Sequence, residues 1–468
     1  ISMQIQKGQS VDLDIDAMAF GGSGIGRHEG MAVFVDGAVT GDKVQASWTK
    51  IKKKFGEARL VKIIKTSPDR VKARCPYSGI CGGCHFQYLK YTKQLEIKRQ
   101  HTIDALERIG KFANPSVAKI IACDDPFYYR NKMEFSFGYD SEMKFALGFH
   151  IPGRRFDILD VKECYLESEF AVKILNKTRE FAFVKKWLPR KYGPDDSSDV
   201  SGFLKSLFVR EGKRTGEVMV NLLTSVQVPE GFKKEMEELV EELLELRDTK
   251  MKIVSVYWSR KIAKRGQVTK IEEDLIYGKP VFAEKMILAN GDELDFEILP
   301  QAFFQVNTLQ AEKLYSEVLK LAGDDCGTVL DLFCGTGTIG LFLAKHVENV
   351  IGVEVNTDSV KMALENARKN KIFNIDFFTG DVADVLKNMK QMPSLVVVDP
   401  PRAGLSQKMI ESMADLKAKK IIYVSCNPAT LARDCEYLGK FGYELKSVQP
   451  VDMFPHSYHV ENVALMER

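Results

Sequence analysis

The sequence predicts a multidomain α/β protein in three parts: a small N-terminal β-barrel, a central α+β domain and a C-terminal domain built on a parallel sheet. Three observations support this. Apolar and polar residues alternate between turn signals over residues 4–64. In the middle of the chain, further alternating segments are interrupted by long helical patterns. Near position 330, an apolar strand pattern runs into a glycine-rich turn and then a helix, which is typical of a nucleotide-binding fold.

The length and composition narrow the class of protein. A chain of 468 residues has room for about two to four domains, each with its own core. Hydrophobic residues make up 45% and charged residues 28%, as in a soluble globular protein. No run approaches the roughly 20 apolar residues of a membrane span, and the N-terminus lacks a signal-peptide pattern. We therefore expect a cytoplasmic protein with no membrane association, and no obligate protein partner is inferred.

Charge is unevenly distributed, although the net charge is only +3. Eleven Lys and Arg residues face only two acids between Lys43 and Arg74. Because this basic stretch lies in a strand-rich segment with aromatic residues, we favour nucleic-acid binding over a merely solvated face. The opposite imbalance, between Glu230 and Asp248, is interpreted as the solvated face of a helix.

Residues 1–66 form the predicted barrel. Short strands at even spacing favour a closed, OB-like arrangement of about five strands. The run Gly21–Gly26 lacks the Lys-Ser/Thr and the helix that follow a phosphate loop, so we interpret it as turn chemistry. The segment resembles the TRAM domain, an OB-like module found on RNA-modifying enzymes. The predicted strands are Ser10–Ile15, Met31–Val35, Lys43–Trp48 and Phe55–Ile64.

Nine cysteines in a chain without a secretion signal are not expected to form disulfides. Three of them, Cys75, Cys81 and Cys84, are closely spaced in a glycine-bearing loop, and Cys164 lies far downstream. Zinc ribbons normally present two C-x2-C knuckles, whereas only one is found here, so an all-thiolate iron–sulfur cluster fits better. A zinc site and free cysteines are the alternatives, and spacing alone does not identify Cys164 as a fourth ligand.

Residues 67–290 are the predicted central α+β domain. Three helices are expected, at Tyr91–Phe112, Ser168–Trp187 and Glu230–Leu246. An alternating region begins at Phe127–Phe137, and its Tyr-Arg-Asn-Lys cluster fits either an RNA-facing patch or a solvated strand end. The further predicted strands are Lys144–His150, Phe156–Val161, Leu204–Arg210, Glu217–Leu223 and Lys252–Trp258.

Residues 291–468 contain the Rossmann-like pattern. A strand ending at Leu332 is followed by the turn around Gly335, and the next strand ends in Glu354, which is placed to bind ribose hydroxyls. Asp331 just before the glycines would repel a pyrophosphate but tolerate a sulfonium and an amino group. Asp399 and Cys426 each follow another strand of the same sheet. Since ligands bind beyond the carboxyl ends of such strands, we predict an S-adenosylmethionine pocket beside a nucleophilic cysteine.

The expected chemistry explains these residue types. Carbon 5 of uracil is a poor nucleophile, and a thiolate that adds at carbon 6 turns the ring into an enolate that can accept a methyl group. Cys426 precedes the predicted helix Pro428–Leu438, whose N-terminus is expected to lower the pKa of the thiol. A base must then remove the proton at carbon 5. Glu461 is the first choice and His456 the second. The other C-terminal cysteines, which are better explained as buried packing residues, are Cys326, Cys334 and Cys435.

Taken together, these motifs resemble the RNA uracil-5-methyltransferases, and specifically the 23S rRNA (uracil-5-)-methyltransferase branch. The matching segments occur in family order over nearly the whole chain. Besides the cysteines, they are Gln305-Val306-Asn307, Asp331–Gly337, Asp399-Pro400-Pro401-Arg402, Ser425-Cys426-Asn427-Pro428 and His459-Val460-Glu461.

The resemblance implies a role for each matched residue. Cys426 would be the nucleophile and Glu461 the proton-abstracting base. The helix Tyr91–Phe112 would pack on the catalytic domain. The tRNA-directed relatives typically lack the barrel and the cluster cysteines, which favours rRNA over tRNA as the substrate. The implied ligands of a [4Fe-4S] cluster are Cys75, Cys81, Cys84 and Cys164. The residues implied to bind S-adenosylmethionine are Gln305, Phe333, Gly335, Glu354 and Asp399, with Asp381 a further candidate near the adenine.

Two rival functions also fit these motifs. A base N-methyltransferase could use Asp399-Pro400-Pro401 to hold an exocyclic amine, but such enzymes usually carry an aromatic residue where Arg402 stands, and they need no cysteine. A non-catalytic, redox-sensing RNA-binding protein would use the cluster and transfer no methyl group. Methylation of tRNA instead of rRNA is the nearest alternative within the family.

Overall fold

The computed structural model describes residues 6–154, 156–190, 202–262, 269–323, 326–387, 389 and 392–468. The first five strands form a closed barrel in the order β1-β2-β3-β5-β4, with Val33, Leu13 and Trp48 in its core. Only the pair β3–β5 is parallel. The sequence therefore predicted the barrel and its strand number. The strands are β1 (Ser10–Met18), β2 (Gly24–His28), β3 (Met31–Asp36), β4 (Lys43–Ile51) and β5 (Phe55–Lys65).

The interpretation of Gly21–Gly26 as a turn is wrong for its second half. Gly21 and Gly22 form the turn with positive φ angles of 123° and 97°, but Gly24 and Gly26 lie in β2. A Cβ atom on Gly24 would come within 2.8 Å of the carbonyl oxygen of Ala38, so the strand needs glycine for close backbone approach. Glycine often marks the end of a strand, but in β2 it allows the strand to form because a side chain would not fit.

The central region is a seven-stranded sheet in the order β12-β11-β10-β9-β6-β7-β8, in which only β10 and β11 are parallel. Two of its helices cover one face and bury Phe170 and Met236 against Phe135 and Leu207. The elements of this region are α1 (Tyr91–Arg108), β6 (Lys132–Tyr139), β7 (Phe145–His150), β8 (Ile158–Asp160), α2 (Glu169–Val184), β9 (Leu204–Glu211), β10 (Glu217–Ser225), α3 (Phe232–Leu244), β11 (Lys252–Ile262) and β12 (Lys270–Gly278).

The C-terminal part is a second seven-stranded sheet, in the order β17-β16-β15-β18-β19-β21-β20. Its first five strands are parallel, and β21 is antiparallel to both neighbours. A hairpin and a helix precede it. The elements are β13 (Phe282–Ile287), β14 (Glu293–Ile298), α4 (Thr308–Ala322), β15 (Thr328–Leu332), α5 (Thr338–Leu343), β16 (Asn349–Glu354), α6 (Thr357–Lys369), β17 (Ile375–Thr379), α7 (Val382–Lys387), β18 (Leu395–Val398), α8 (Gln407–Asp415), β19 (Lys420–Ser425), α9 (Pro428–Gly439), β20 (Glu444–Val451) and β21 (Glu461–Glu467).

Helix α1 lies against α9, although it precedes the central sheet in sequence. Its fully buried Lys98 donates to Asp452 at 2.5 Å and to the carbonyl of Phe454, and its Thr102 donates to Asn462 at 2.8 Å. These bonds hold the loop between β20 and β21 and the start of β21 against α1. Among the helices that the structure describes, none is both long and apolar enough to cross a bilayer.

The Tyr-Arg-Asn-Lys cluster has a role that neither sequence interpretation covered. Tyr129 and Asn131 are buried. The Tyr129 hydroxyl donates to the carbonyl of Pro455, and the Asn131 amide donates to the carbonyl of Gln305 and to Thr308. The segment just before β6 therefore joins the central sheet to the C-terminal domain.

Candidate active site

The turn after β15 brings the backbone around an open space. Phe333, Gly335 and Gly337 all have positive φ angles, of 62°, 54° and 79°. Such angles suit glycine, and a non-glycine residue in this region is held there only by its surroundings. The buried carboxylate of Asp331 accepts a hydrogen bond from the backbone N–H of Gly340 at 2.8 Å and so fixes the start of α5. Burial raises the pKa of Asp331 to about 7, and the negative charge of Asp399 adds to this effect.

A cavity beside this turn is lined by four of the six predicted cofactor residues. It lies between the glycine turn, the entrance to α4 and the end of β18. Its carboxylates could hold the ammonium and sulfonium charges of S-adenosylmethionine, and its aromatic rings could contact the adenosine. The lining residues are Phe303, Phe304, Gln305, Tyr315, Asp331, Phe333, Cys334, Gly335, Thr336, Thr338, Ile339 and Asp399.

The two other predicted cofactor residues are placed differently. Glu354 ends β16 and accepts hydrogen bonds from the backbone N–H groups of Gly335 at 3.1 Å and Asn356 at 2.8 Å. It thus borders the glycine turn and retains free lone pairs. Asp381 is exposed, and its carboxylate accepts a bond from the N–H of Ala383 at the start of α7. In this position it caps a helix and is not among the residues that line the cavity.

Cys426 and Glu461 face each other across two neighbouring strands. Cys426 follows β19 and Glu461 begins β21, and their adjacent residues Ser425 and Asn462 are partners in the antiparallel register. Asp399 follows β18, which pairs with β19 on its other side. The three side chains therefore occupy one rim of the sheet, directly beside the cavity.

The pKa of the Cys426 thiol is raised, whereas the sequence predicted that it would be lowered. Its pKa is raised to about 11, first by burial and then by the negative charges of Glu461 and Asp399, with Arg402 acting in the opposite direction. The prediction that the helix N-terminus would lower this pKa is wrong. Asn427, rather than the thiol, caps α9 by accepting a bond from the N–H of Ala429. Burial and the two neighbouring carboxylates keep this pKa above its usual value, although the thiol lies at the start of α9.

Glu461 is buried, and this raises the pKa of its carboxyl group to about 8, with a further contribution from Asp399. A carboxyl group with a pKa near neutrality can both accept and release a proton. His456 is less suitable, because its ring is buried against Phe127 and its Nδ1 is within 3.2 Å of the Gln94 amide. Burial also lowers the pKa of His456 to about 4.

The comparisons with known proteins now identify the family. Residues 203–468 match the family described as tRNA (Uracil-5-)-methyltransferase, and residues 4–61 match the TRAM domain. An uncharacterized RNA methyltransferase of Chlorobaculum tepidum is 38% identical over 100% of this chain and 98% of its own length. One from Caldanaerobacter subterraneus subsp. tengcongensis is 37% identical over 99% of both chains.

The chain belongs to the tRNA (uracil-5-)-methyltransferase family. A solved structure agrees: the Pyrococcus abyssi tRNA (uracil-54, C5)-methyltransferase in complex with S-adenosyl-L-homocysteine is 28% identical, with a TM-score of 0.74. The match covers 97% of this chain and 100% of that one. The protein is an S-adenosylmethionine-dependent RNA uracil-5-methyltransferase with an N-terminal TRAM barrel.

In this methyltransferase, the four predicted cluster cysteines line one cavity of about 360 Å³ between the loop after β5 and the end of β8. The Gln87 amide donates to the Cys84 sulfur at 3.3 Å, and its carbonyl accepts from the N–H of Cys75 at 2.9 Å. Within the described ranges, no group of three or more His, Cys, Asp or Glu side chains is arranged to hold a metal ion. The cysteines thus share a cavity but are not drawn together around a single ion.

Sequence reasoning missed Tyr315, which lines the candidate cofactor cavity of this methyltransferase. Tyr315 of α4 is buried beside the carboxylates, and burial together with the charges of Asp399, Asp331 and Glu461 raises the pKa of its hydroxyl well above the usual range. Its hydroxyl therefore stays protonated and lines the cavity as a neutral polar group. Its position on the inward face of α4 was the available signal, but an apolar helix face with one tyrosine normally indicates only packing.

Proposed function

We propose that this enzyme methylates carbon 5 of a uridine in RNA with Cys426 as the nucleophile and Glu461 as the base. One observation carries the proposal: both side chains lie at the ends of paired strands, beside Asp399 and the glycine-turn cavity. Few other reactions at a methyl-donor site need a thiol and a basic carboxylate beside the same cavity.

The thiol must lose its proton before it can react. Its pKa near 11 follows largely from burial and two negative neighbours, so a positive charge placed beside Asp399 and Glu461 favours the thiolate. S-adenosylmethionine, when bound, supplies both an electrophilic methyl carbon and that positive charge. Asp399, in the cavity lining, is the residue best placed to hold the cationic portion. We infer that Cys426 stays protonated in the free enzyme and reacts only when both substrates are present.

The proposed reaction balances in three steps. Cys426 Sγ forms a bond to carbon 6 of the uracil, and the electron pair of the C5–C6 double bond moves towards the carbonyl at carbon 4. The enolate electron pair then bonds carbon 5 to the methyl carbon of S-adenosylmethionine, and the bond from that carbon to the sulfonium sulfur breaks to leave S-adenosylhomocysteine. Finally, Glu461 accepts the proton from carbon 5, the double bond re-forms, and the C6–S bond breaks to return the thiolate. The raised pKa of Glu461 makes its carboxylate a stronger base than an exposed glutamate.

We propose 23S rRNA as the first substrate to test, following the motif pattern with the cluster cysteines. Transfer to the T-loop uridine of tRNA is a second candidate, because a specific observation favours it. The match to the P. abyssi tRNA enzyme covers 97% of this chain, and the remaining 3% is too short to contain the barrel. An N-terminal barrel therefore does not by itself favour rRNA.

A transfer assay distinguishes these substrates and tests the nucleophile. Purified enzyme is incubated with labelled S-adenosylmethionine and either unmodified 23S rRNA or tRNA transcripts, and the modified position is mapped. Label in 5-methyluridine of one RNA identifies the substrate. Cys426→Ser should abolish transfer, whereas Cys326→Ser, which alters a half-buried thiol remote from the rim, should retain it. Normal transfer by Cys426→Ser would contradict the mechanism.

We further propose that Cys75, Cys81, Cys84 and Cys164 hold a [4Fe-4S] cluster. The shared cavity supports this, since a cluster is bulkier than an ion and holds its ligands further apart. The cluster would supply rigidity or RNA positioning, because methyl transfer involves no net redox change. Anaerobically purified protein should contain stoichiometric iron and sulfide and absorb visible light. Stoichiometric zinc with no iron would refute the cluster.

A further inference from the structure

Arg74 and three aromatic residues form a compact group at the surface. The guanidinium carbon of Arg74 lies 4.4 Å from the ring centroid of Tyr165, 5.1 Å from that of Tyr128 and 5.2 Å from that of Phe127. An Nη2–H group of Arg74 also donates to the Tyr128 hydroxyl at 2.7 Å. Arg74 is exposed, and the tyrosines are partly exposed. A planar cation and two rings are thus held in fixed positions where solvent can reach them.

The backbone of Tyr128 is held in an unfavourable conformation to present this ring. Its φ angle is +54°, which a bulky aromatic residue rarely adopts. The N–H of Tyr128 donates to the carbonyl of Tyr165 at 2.8 Å, so the two tyrosines are also tied through the main chain. Residues in such conformations cluster at functional sites, because the surrounding structure must be built to hold them.

The group borders the candidate active site. The ring of Phe127 packs on His456 at 4.4 Å and 34°, and the hydroxyl of Tyr129 donates to the carbonyl of Pro455. Pro455 and His456 belong to the loop that leads into Glu461. On the other side, Arg74 and Tyr165 adjoin Cys75 and Cys164 in sequence. The aromatic group therefore lies between the cysteine cavity and the loop that leads into the proposed base.

We propose that Arg74, Tyr128 and Tyr165 form a stacking platform for one unpaired base of the RNA substrate, close to the target uridine. Unpaired RNA bases stack on aromatic rings and on guanidinium planes. An enzyme that flips out its target base also leaves neighbouring bases without their stacking partner. The platform supplies a replacement partner. This proposal needs only the RNA substrate class of the family, and is independent of the roles proposed for Cys426 and Glu461.

Binding of a short RNA tests the platform without methyl transfer. The probe is a fluorescein-labelled single-stranded RNA of twelve nucleotides, with adenosines around one central uridine. A series of the same RNA carries a single abasic site, at a different position in each member. Fluorescence anisotropy gives the Kd. For the wild-type enzyme, the abasic site should weaken binding about tenfold at one position, as expected for one stacked base. The Arg74→Lys and Tyr165→Leu variants should bind the intact RNA about tenfold more weakly and show no further loss at that position.

Three controls separate stacking from charge and folding. Arg74→Lys keeps the positive charge, so its loss of affinity is not electrostatic. Tyr165→Phe keeps the ring but loses the hydroxyl bond to Glu163, and should bind like the wild type. Lys440→Ala, which breaks a remote pair of Lys440 over Tyr437 at 4.8 Å, should also bind normally. All variants should retain wild-type affinity for S-adenosylhomocysteine. The proposal is overturned if no abasic position distinguishes the wild type from Arg74→Lys, or if Arg74→Lys binds normally.

Discussion

The raised pKa of the Cys426 thiol gives a prediction that links two residues of the site. Replacing Glu461 by Gln removes one of the two negative charges that hold this pKa high, while the shape of the side chain is kept. The thiol of the variant should therefore ionise more readily than that of the wild type. Alkylation by iodoacetamide reports this directly, because only the thiolate reacts.

The magnitude follows from the structure. Raising the pKa of Cys426 from 9.0 to about 11 lowers the thiolate fraction about 100-fold below pH 9. One nearby charge in a partly buried site contributes about 1–2 kcal/mol, which corresponds to roughly tenfold in alkylation rate. Glu461 itself has a pKa of about 8 and is neutral at lower pH. The rates of the wild type and Glu461→Gln should thus coincide below about pH 6, differ by about tenfold near pH 9, and converge again at higher pH, where both thiols are ionised.

Mass spectrometry of the peptide that contains Cys426 gives the rate at each pH. The half-buried Cys326 in the same digest is the internal control, and its rate should not respond to the Glu461 substitution. Asp399→Asn should accelerate alkylation of Cys426 in the same direction. If Cys426 is alkylated at neutral pH as fast as a free thiol, or if neither substitution changes its alkylation rate, then the two carboxylates do not raise the pKa of this thiol.

Three further outcomes are expected. Lys98→Met leaves the buried Asp452 carboxylate without its cationic partner. This should lower the free energy of unfolding in urea titrations by about 3–5 kcal/mol. A decrease of less than about 1 kcal/mol would contradict the buried placement of the pair. The folded-state pKa of Asp331, about 7, exceeds its usual 3.8, so its contribution to stability is complete below about pH 4 and lost as the pH rises past 7. Without S-adenosylmethionine, the protein should therefore have a lower Tm at pH 8 than at pH 5. In calorimetry, Asp331→Asn should show a smaller decrease of Tm between these pH values. Gly337→Ala places a Cβ atom 2.8 Å from the Phe377 ring at a φ of +79°, and should weaken S-adenosylhomocysteine binding about tenfold in titration calorimetry.

The rim of the active site could be predicted because it follows a simple rule. The carboxyl ends of parallel strands meet at one edge of a sheet, so Asp399 and Cys426 were expected to lie together once their strands were recognised. Glu461 was harder, since it begins an antiparallel strand whose place in the sheet cannot be derived from its own sequence. Only the register between Ser425 and Asn462 brings it opposite Cys426.

Two of the errors share a physical origin, which is contact between distant parts of the chain. Tyr129 and Asn131 belong to a polar cluster that suggests a surface, yet loops of the C-terminal domain bury them. The pKa of Cys426 depends on carboxylates that are 27 and 35 positions away. A helix N-terminus can be read from the local sequence, whereas the burial and the charges that raise this pKa come from distant parts of the chain. The strands β12 to β14 were also missed. Charged residues interrupt the alternation of β12 and β13, whereas β14 alternates regularly and could have been recognised.

The central claim is that Cys426 forms a transient covalent bond with the target pyrimidine, and trapping with 5-fluorouridine tests it most directly. Fluorine at carbon 5 prevents the proton abstraction assigned to Glu461, so the C6–S bond cannot break. Incubation of the enzyme with S-adenosylmethionine and 5-fluorouridine-substituted RNA should yield a stable complex in denaturing gels. Peptide mapping should place the nucleotide on Cys426. Methylation of normal RNA without any trapped complex, or an adduct on another cysteine, would contradict the mechanism.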